Sequence, residues 1–267
     1  MVNLKKITKI LTGLALIAGL GYTGIDTLRR QSEKISTQIR LELALEKQSL
    51  EYPEENETVI NEFRKIAKKQ DSVLGLQNFE DPEILFDEVF KYGLDPSDPK
   101  ATIPQYGWYD RSNDIIWINL KAKKRLAENL SHERGHWYPD KLSESIGNGS
   151  WRLEIKSFIQ EMFQNAKGDK LISEGIAAYF ERKPFGGPIE QLSYKDFEKY
   201  FKRDSTDIRI NYDVGYALVA PILDRSVSLT GSVDKGIELL IKNTPEKRDL
   251  KDLVVYRERI LDMVDKK

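Results

Sequence analysis

The chain has 267 residues, of which 40% are hydrophobic and 32% are charged. This length suits one large domain or two small ones, and the hydrophobic content supports a proper core. The 42 basic and 43 acidic residues nearly balance, so the overall charge gives no reason to expect a nucleic-acid partner. The chain has no cysteine, which excludes disulfides, thiolate metal ligands, cysteine nucleophiles and anchoring through a lipidated cysteine.

Residues 1–25 are predicted to form a signal-anchor or a signal peptide. Three lysines precede an uncharged run from Ile10 to Ile25, which is short for a full membrane span. No clean cleavage site follows, so an uncleaved signal-anchor is favoured over a cleaved signal peptide. Because the lysines favour a cytoplasmic N-terminus, we expect a membrane-anchored or exported protein whose main domain is extracytoplasmic. A buried apolar helix is the alternative.

Residues 26–51 are predicted to form a charged stalk helix with a narrow apolar stripe. Tyr52 and the residues that follow it interrupt this pattern, so the main domain is assigned to residues 52–267. A second charged helix is expected from about Val59 to Lys69, and another around Pro82–Tyr92.

A β-hairpin is predicted next along the chain. Its strands are Tyr106–Trp108 and Ile115–Leu120, and the turn-forming residues Asp110–Asp114 lie between them. The second strand leads directly into the helix that carries the principal motif. A sheet edge at this place can bind an extended peptide by strand addition.

Both histidines of the chain lie in one motif, His-Glu-x-x-His. Four residues separate His132 from His136, so a helix presents both imidazoles on one face, where each can give one nitrogen to the same zinc ion. Glu133 can then flank the metal and accept a proton from zinc-bound water. The helix is expected from about Lys121 to Trp137, ending before Pro139. A surface helix that carries these residues by chance is the alternative.

If this is a zinc site, its third protein ligand must be a carboxylate, because a catalytic zinc site usually has three protein ligands and the chain has no further histidine and no cysteine. Glu174 is favoured, since it lies among apolar residues in a helical stretch, Lys170–Glu181, where a carboxylate needs a partner. Asp140 and Glu181 are the rival ligands. Another helix is expected at about 151–165.

The motif and the later Ser-Glu-Gly-x-Ala segment together resemble the gluzincin group of zinc metallopeptidases, which includes thermolysin and the membrane alanyl aminopeptidases. The resemblance implies a zincin-like domain with one zinc ion, bound by His132, His136 and Glu174, and Glu133 as the general base. The 37 residues between His136 and Glu174 exceed the spacing in the aminopeptidases. An inserted helix would account for the difference.

The segment Asn211–Leu218 is similar to an aminopeptidase segment that begins Tyr-Glu-Lys-Gly. This resemblance implies that Tyr212 stabilises the oxyanion, with Tyr216 as the alternative; a phenol near the zinc can donate the necessary hydrogen bond. The chain has no Gly-x-Met-Glu-Asn motif, which argues against aminopeptidase activity. Leu142 stands where metzincins carry their third ligand, so that pattern is absent.

Together these observations predict an α+β, predominantly helical fold, with a small β-hairpin or sheet before the active-site helix. Two helices, Val233–Lys242 and Leu250–Asp265, are expected to complete it. The predicted function is zinc-dependent hydrolysis of peptide bonds in a peptide or protein substrate, with the membrane contacted through the N-terminal segment. The alternatives are a non-catalytic membrane-tethered binding protein and a helical structural protein without metal. Nothing in the sequence indicates the oligomeric state.

Overall fold

A computed structural model describes residues 45–87, 107–111, 114–119, 124–147, 162–187, 208–246 and 248–266. The chain forms two compact units that divide between Glu57 and Thr58. The predicted membrane segment, residues 1–25, and residues 26–44 of the predicted stalk lie outside the described ranges, whereas residues 45–51 are helical. Within those ranges, no helix has the length and apolar character needed to span a bilayer.

The described elements are mainly helices, and one small sheet precedes the motif helix. This arrangement confirms the predicted α+β, predominantly helical class. The elements in chain order are α1 (Pro53–Leu74), β1 (Glu83–Asp87), β2 (Gly107–Asp110), β3 (Ile115–Asn119), α2 (Leu126–Ser145), α3 (Met162–Arg182), α4 (Ile208–Thr230), α5 (Asp234–Lys242) and α6 (Leu253–Asp265). α1 begins with a proline, followed by acidic residues in the first turn, both of which favour a helix N-terminus.

The sheet has the strand order β1-β3-β2 in the described part of the chain. β2 and β3 pair antiparallel, which confirms the predicted hairpin, and Trp108 lies opposite Trp117. β1 pairs parallel to β3, so the prediction of a helix around Pro82–Tyr92 was wrong for its first half. The run Glu83–Asp87 joins the sheet because of a pairing with a strand far along the chain, and local apolar spacing does not show such a pairing.

Helix α2 continues through Pro139 to Ser145, so the prediction that it ends before the proline was wrong. A proline inside a helix costs roughly 3 kcal/mol locally. Tertiary contacts of the residues on either side of it offset that cost. Asp140 is buried and forms a two-bond ion pair with Arg111, and the Tyr138 hydroxyl donates to Asp234 at 2.8 Å.

Helix α3 is continuous from Met162 to Arg182, so there is no break between the two helices predicted at 151–165 and 170–181. Residues 151–161 lie outside the described ranges. Gly168 allows the backbone of Pro245 to approach α3 closely, since a Cβ there would overlap the proline carbonyl. The C-terminal helices α5 and α6 confirm the two that were predicted.

Candidate metal centre

Three side chains from two neighbouring helices converge on one point. His132 and His136 project from α2, and Glu174 projects from α3. The Nε2 atom of each histidine lies 3.5 Å from Oε2 of Glu174. One ligand atom from each of the three residues lies within 4.8 Å of the others. The structure therefore brings together the three residues that the sequence singled out as metal ligands.

These distances fit a tetrahedral metal ion better than direct hydrogen bonds. Zinc–nitrogen and zinc–oxygen bonds of about 2.0–2.2 Å place two tetrahedral ligands about 3.4 Å apart. An ordinary N–H···O bond is shorter, at about 2.9–3.0 Å. Within the described residues, Nε2 of His132 and Oε2 of Glu174 are both buried without a hydrogen-bond partner. Unpartnered buried polar atoms are costly, and a shared cation would satisfy both.

The second nitrogen of each imidazole has its own partner on α3. Nδ1 of His132 lies 3.1 Å from a carboxylate oxygen of Glu181, and Nδ1 of His136 lies 3.0 Å from Oγ of Ser173. A carboxylate beside Nδ1 favours the tautomer that leaves Nε2 free to bind a metal. Glu181, one of the two rival ligands, thus orients a histidine in this structure. The other rival, Asp140, pairs with Arg111.

The carboxylates of the cluster create a negative potential that favours a positive charge among them. Burial acts to lower the pKa of His132, but the carboxylates of Glu174, Glu181 and Glu133 outweigh it and raise that pKa to about 10. Burial acts to raise the pKa of Glu174, yet His136 and His132 hold it well below its ordinary value. Three carboxylates lie near two imidazoles, so the cluster favours positive charge at this point. A divalent cation would supply the same charge.

The side chain of Glu133, on the motif helix, lies beside the edge strand β2. The side chain is buried, and a Cβ on Gly107 would lie 3.1 Å from Oε1 of Glu133. The nearby backbone N–H of Tyr109 acts to lower the pKa of the Glu133 carboxyl. Burial is the largest influence and raises the pKa of Glu133, although both histidines act to lower it. The absence of a side chain at residue 107 leaves the space that this carboxylate occupies.

Tyr212 lies at the same cluster. Its ring centroid is 5.0 Å from that of His132. Burial raises the pKa of the Tyr212 phenol, and the carboxylates of Glu174, Glu133 and Glu181 raise it further, so the hydroxyl keeps its proton. Tyr216, the alternative, is fully buried, and its ring lies 4.8 Å from the guanidinium carbon of Arg182. Tyr212 is therefore the tyrosine that the structure brings to the cluster.

Two close helix crossings produce this convergence. A Cβ on Gly135 would lie 2.6 Å from Cα of Ala177, so the bare glycine lets α2 and α3 touch. A Cβ on Gly175 would overlap the backbone of Gly215, so α3 and α4 also meet through glycines. Because Glu174 is adjacent to the second crossing and Tyr212 lies one turn before Gly215, the crossing brings those two residues together.

A buried polar network supports the opposite side of the motif helix. The amide nitrogen of Gln70, on α1, donates to the Ser131 hydroxyl at 2.8 Å and to the Phe180 carbonyl at 3.0 Å. Arg134 donates to the Gln70 amide oxygen at 3.0 Å and to Asp71 at 2.7 Å. The network joins α1, α2 and α3. The network could not be predicted from the sequence, because no local pattern distinguishes Gln70 from a solvated residue of a charged helix.

Comparisons with models of protein families, with curated proteins and with solved structures find no match to this chain. The features that bear on function are those of the site itself: three convergent atoms that could bind a metal, a buried glutamate beside them, and a protonated tyrosine.

Proposed function

We propose that this protein is a zinc-dependent peptidase with a zincin-like catalytic domain and one zinc ion. His132, His136 and Glu174 would hold the metal. The observation that carries the proposal is the convergence of both Nε2 atoms on Oε2 of Glu174, with Glu133 next to His132 on the same helix. Two imidazoles and one carboxylate are a donor set typical of catalytic zinc, which keeps a position open for substrate.

Zinc bound here would polarise the carbonyl of the scissile peptide bond and lower the pKa of a water molecule. Glu133 accepts the proton from that attacking water and delivers it to the leaving amine. Its raised pKa suits both steps, because a carboxylate that is costly to keep ionised in a buried place is a stronger base. Tyr212, which keeps its proton, donates a hydrogen bond to the developing oxyanion.

The edge strand β2 supports a peptide as the substrate. Within the described residues, β2 has a partner strand on one side only. Its residue Gly107 borders Glu133, so an extended peptide that pairs with the outer side of β2 would pass the general base. Placement of the domain outside the cytoplasm, behind a membrane segment at residues 1–25, belongs to the same proposal and depends on the sequence alone.

The decisive experiment measures zinc content and peptide cleavage for the full-length chain and two variants. Wild type should contain about one zinc per chain. Glu174→Ala should lose most of it. Glu133→Gln should keep the zinc and lose cleavage by about 10²- to 10⁴-fold, since only proton transfer is removed. The matched control is Glu144→Gln, an exposed carboxylate near the end of α2, which should change neither quantity.

Two outcomes would overturn the proposal. Correctly folded wild type without zinc would exclude the metal centre and favour the alternative of a helical structural protein. Zinc-loaded protein that cleaves no peptide, or that cleaves equally well as Glu133→Gln, would leave a non-catalytic binding protein. Full zinc content in Glu174→Ala would instead indicate that the third ligand is Glu181 or Asp140.

A further inference from the structure

Asn129 shares the helix face of the metal centre, and the proposed chemistry does not use it. It precedes His132, Glu133 and His136 by three, four and seven residues on α2. Helical residues at these separations lie on one face, with neighbouring Cβ atoms about 5–6 Å apart. Asn129 is therefore one turn from His132 and Glu133, at the N-terminal end of the site.

The side chain of Asn129 has an unused hydrogen-bond donor. Among the described residues, its amide nitrogen is buried and has no hydrogen-bond partner. Among the described residues of α2, Nε2 of His132, Nε of Arg134 and Nε1 of Trp137 are also buried without a partner. Native proteins leave few such groups, and those that exist call for an explanation. For His132 the explanation is a metal ion, and for Asn129 a substrate group is the corresponding one.

The packing of the sheet on α2 indicates which part of a substrate reaches Asn129. α2 packs against both β2 and β3. β2 is the outermost strand among the described residues, and a peptide added beside it would direct its main-chain groups towards the strand and its side chains alternately to the two faces. Side chains on one of those faces point towards α2. A substrate side chain, and not its main chain, is thus placed to meet the Asn129 amide.

We infer that Asn129 is a specificity-determining residue, whose amide donates a hydrogen bond to an acceptor-bearing side chain next to the scissile bond. The preferred substrate residues are Asp, Glu, Asn and Gln. An apolar residue at that position leaves the buried donor unpaired, which disfavours binding by about 10- to 100-fold. This inference rests on the proposed peptidase function for the location of the scissile bond. Binding can still test it without cleavage.

The test measures binding to the full-length, zinc-loaded Glu133→Gln protein, which should hold peptides without cutting them. The probes are short blocked alanine-based peptides, in which each position in turn carries Glu, Gln, Leu or Lys. At one position, Glu and Gln should bind about 10- to 100-fold more tightly than Leu. Adding Asn129→Leu, which has a similar shape without the donor, should remove that preference while the Leu peptide binds as before.

Two further variants make the result decisive. Adding Asn129→Asp replaces the donor by a carboxylate and should shift the preference from Glu to Lys. Adding Glu128→Gln, on the exposed side of the same turn, should leave the preference unchanged. If Asn129→Leu weakens all peptides equally, or leaves the preference intact, the inference is wrong. If wild type cleaves peptides but residue 129 has no effect on their selection, only this inference is wrong. If binding is selective but wild type cleaves no peptide, only the proposed peptidase function is wrong.

Discussion

The histidine nitrogens that face away from the cluster matter as much as those that face it. Each Nδ1 atom has a partner on α3, a carboxylate for His132 and a hydroxyl for His136. Such partners fix the ring orientation and the tautomer before a metal arrives. The two contacts are of unequal strength, because the hydrogen bond to Glu181 is charge-assisted and the one to Ser173 is not.

Removal of the charged partner should therefore weaken the metal site. Glu181→Ala is expected to lower zinc affinity by about 10- to 100-fold, because His132 loses the group that orients it. Competition for zinc against a chelator of known affinity measures the change. Glu181→Gln, which can still accept the hydrogen bond, should fall between wild type and the alanine variant. Equal affinities for all three proteins would show that Glu181 has no part in orienting the histidine.

At the scale of helices and strands, much of the architecture could be predicted, and the failures have physical causes. Alternation and turn residues revealed the hairpin, and residue spacing on a helix revealed the shared face of both histidines. β1 was missed because its partner strand is distant in sequence. The end of α2 was misplaced because the rule for proline is local, whereas the Arg111–Asp140 pair that holds the helix beyond Pro139 is not.

The choice of Glu174 shows how far sequence reasoning reaches into a site. Apolar neighbours on a helix indicated that its carboxylate faces the interior, and the structure brings it to both histidines. The role of Glu181 was not foreseen, because it lies two turns after Glu174 on α3 and reaches His132 only through the crossing of α2 and α3. Glycines at the crossings were the available signal.

The crossing of α3 and α4 can be tested through its glycines. Gly175→Ala would gain up to about 1 kcal/mol from helix propensity, but its methyl group would meet the backbone of Gly215. Backbone cannot rotate aside, so overpacking at about 1–3 kcal/mol should dominate and lower the free energy of unfolding. Urea denaturation in excess chelator measures this effect apart from metal binding. Ser228→Ala, exposed on α4, should stay within about 0.5 kcal/mol of wild type. A more stable Gly175→Ala protein would contradict the close crossing.

At the scale of the whole unit from Thr58 to Lys267, a bound metal would add to contacts that already exist. α2 and α3 meet at Gly135 and Ala177, and the Gln70 network joins them to α1. These contacts involve no zinc. The unit should therefore stay folded without its metal and become more stable when the metal binds, unlike small zinc domains that unfold on chelation.

Thermal unfolding with and without a chelator tests this expectation. At free zinc about 100 times the dissociation constant, binding adds about 2.7 kcal/mol, which corresponds to a rise of about 5–10 °C in Tm. Glu174→Ala should show almost no difference between the two conditions. Complete loss of helical structure on chelation, or an equal shift in Glu174→Ala, would contradict this account of the centre.

Both histidines of the chain lie in the proposed metal centre, and this has a spectroscopic consequence. Selective nitrogen-15 labelling of histidine would yield signals from four ring nitrogens, all of them in the site. Two of those nitrogens face Glu181 and Ser173, and two face Glu174. Protonation, tautomer and metal coordination could then be followed atom by atom, in the intact protein and with no background from histidines elsewhere.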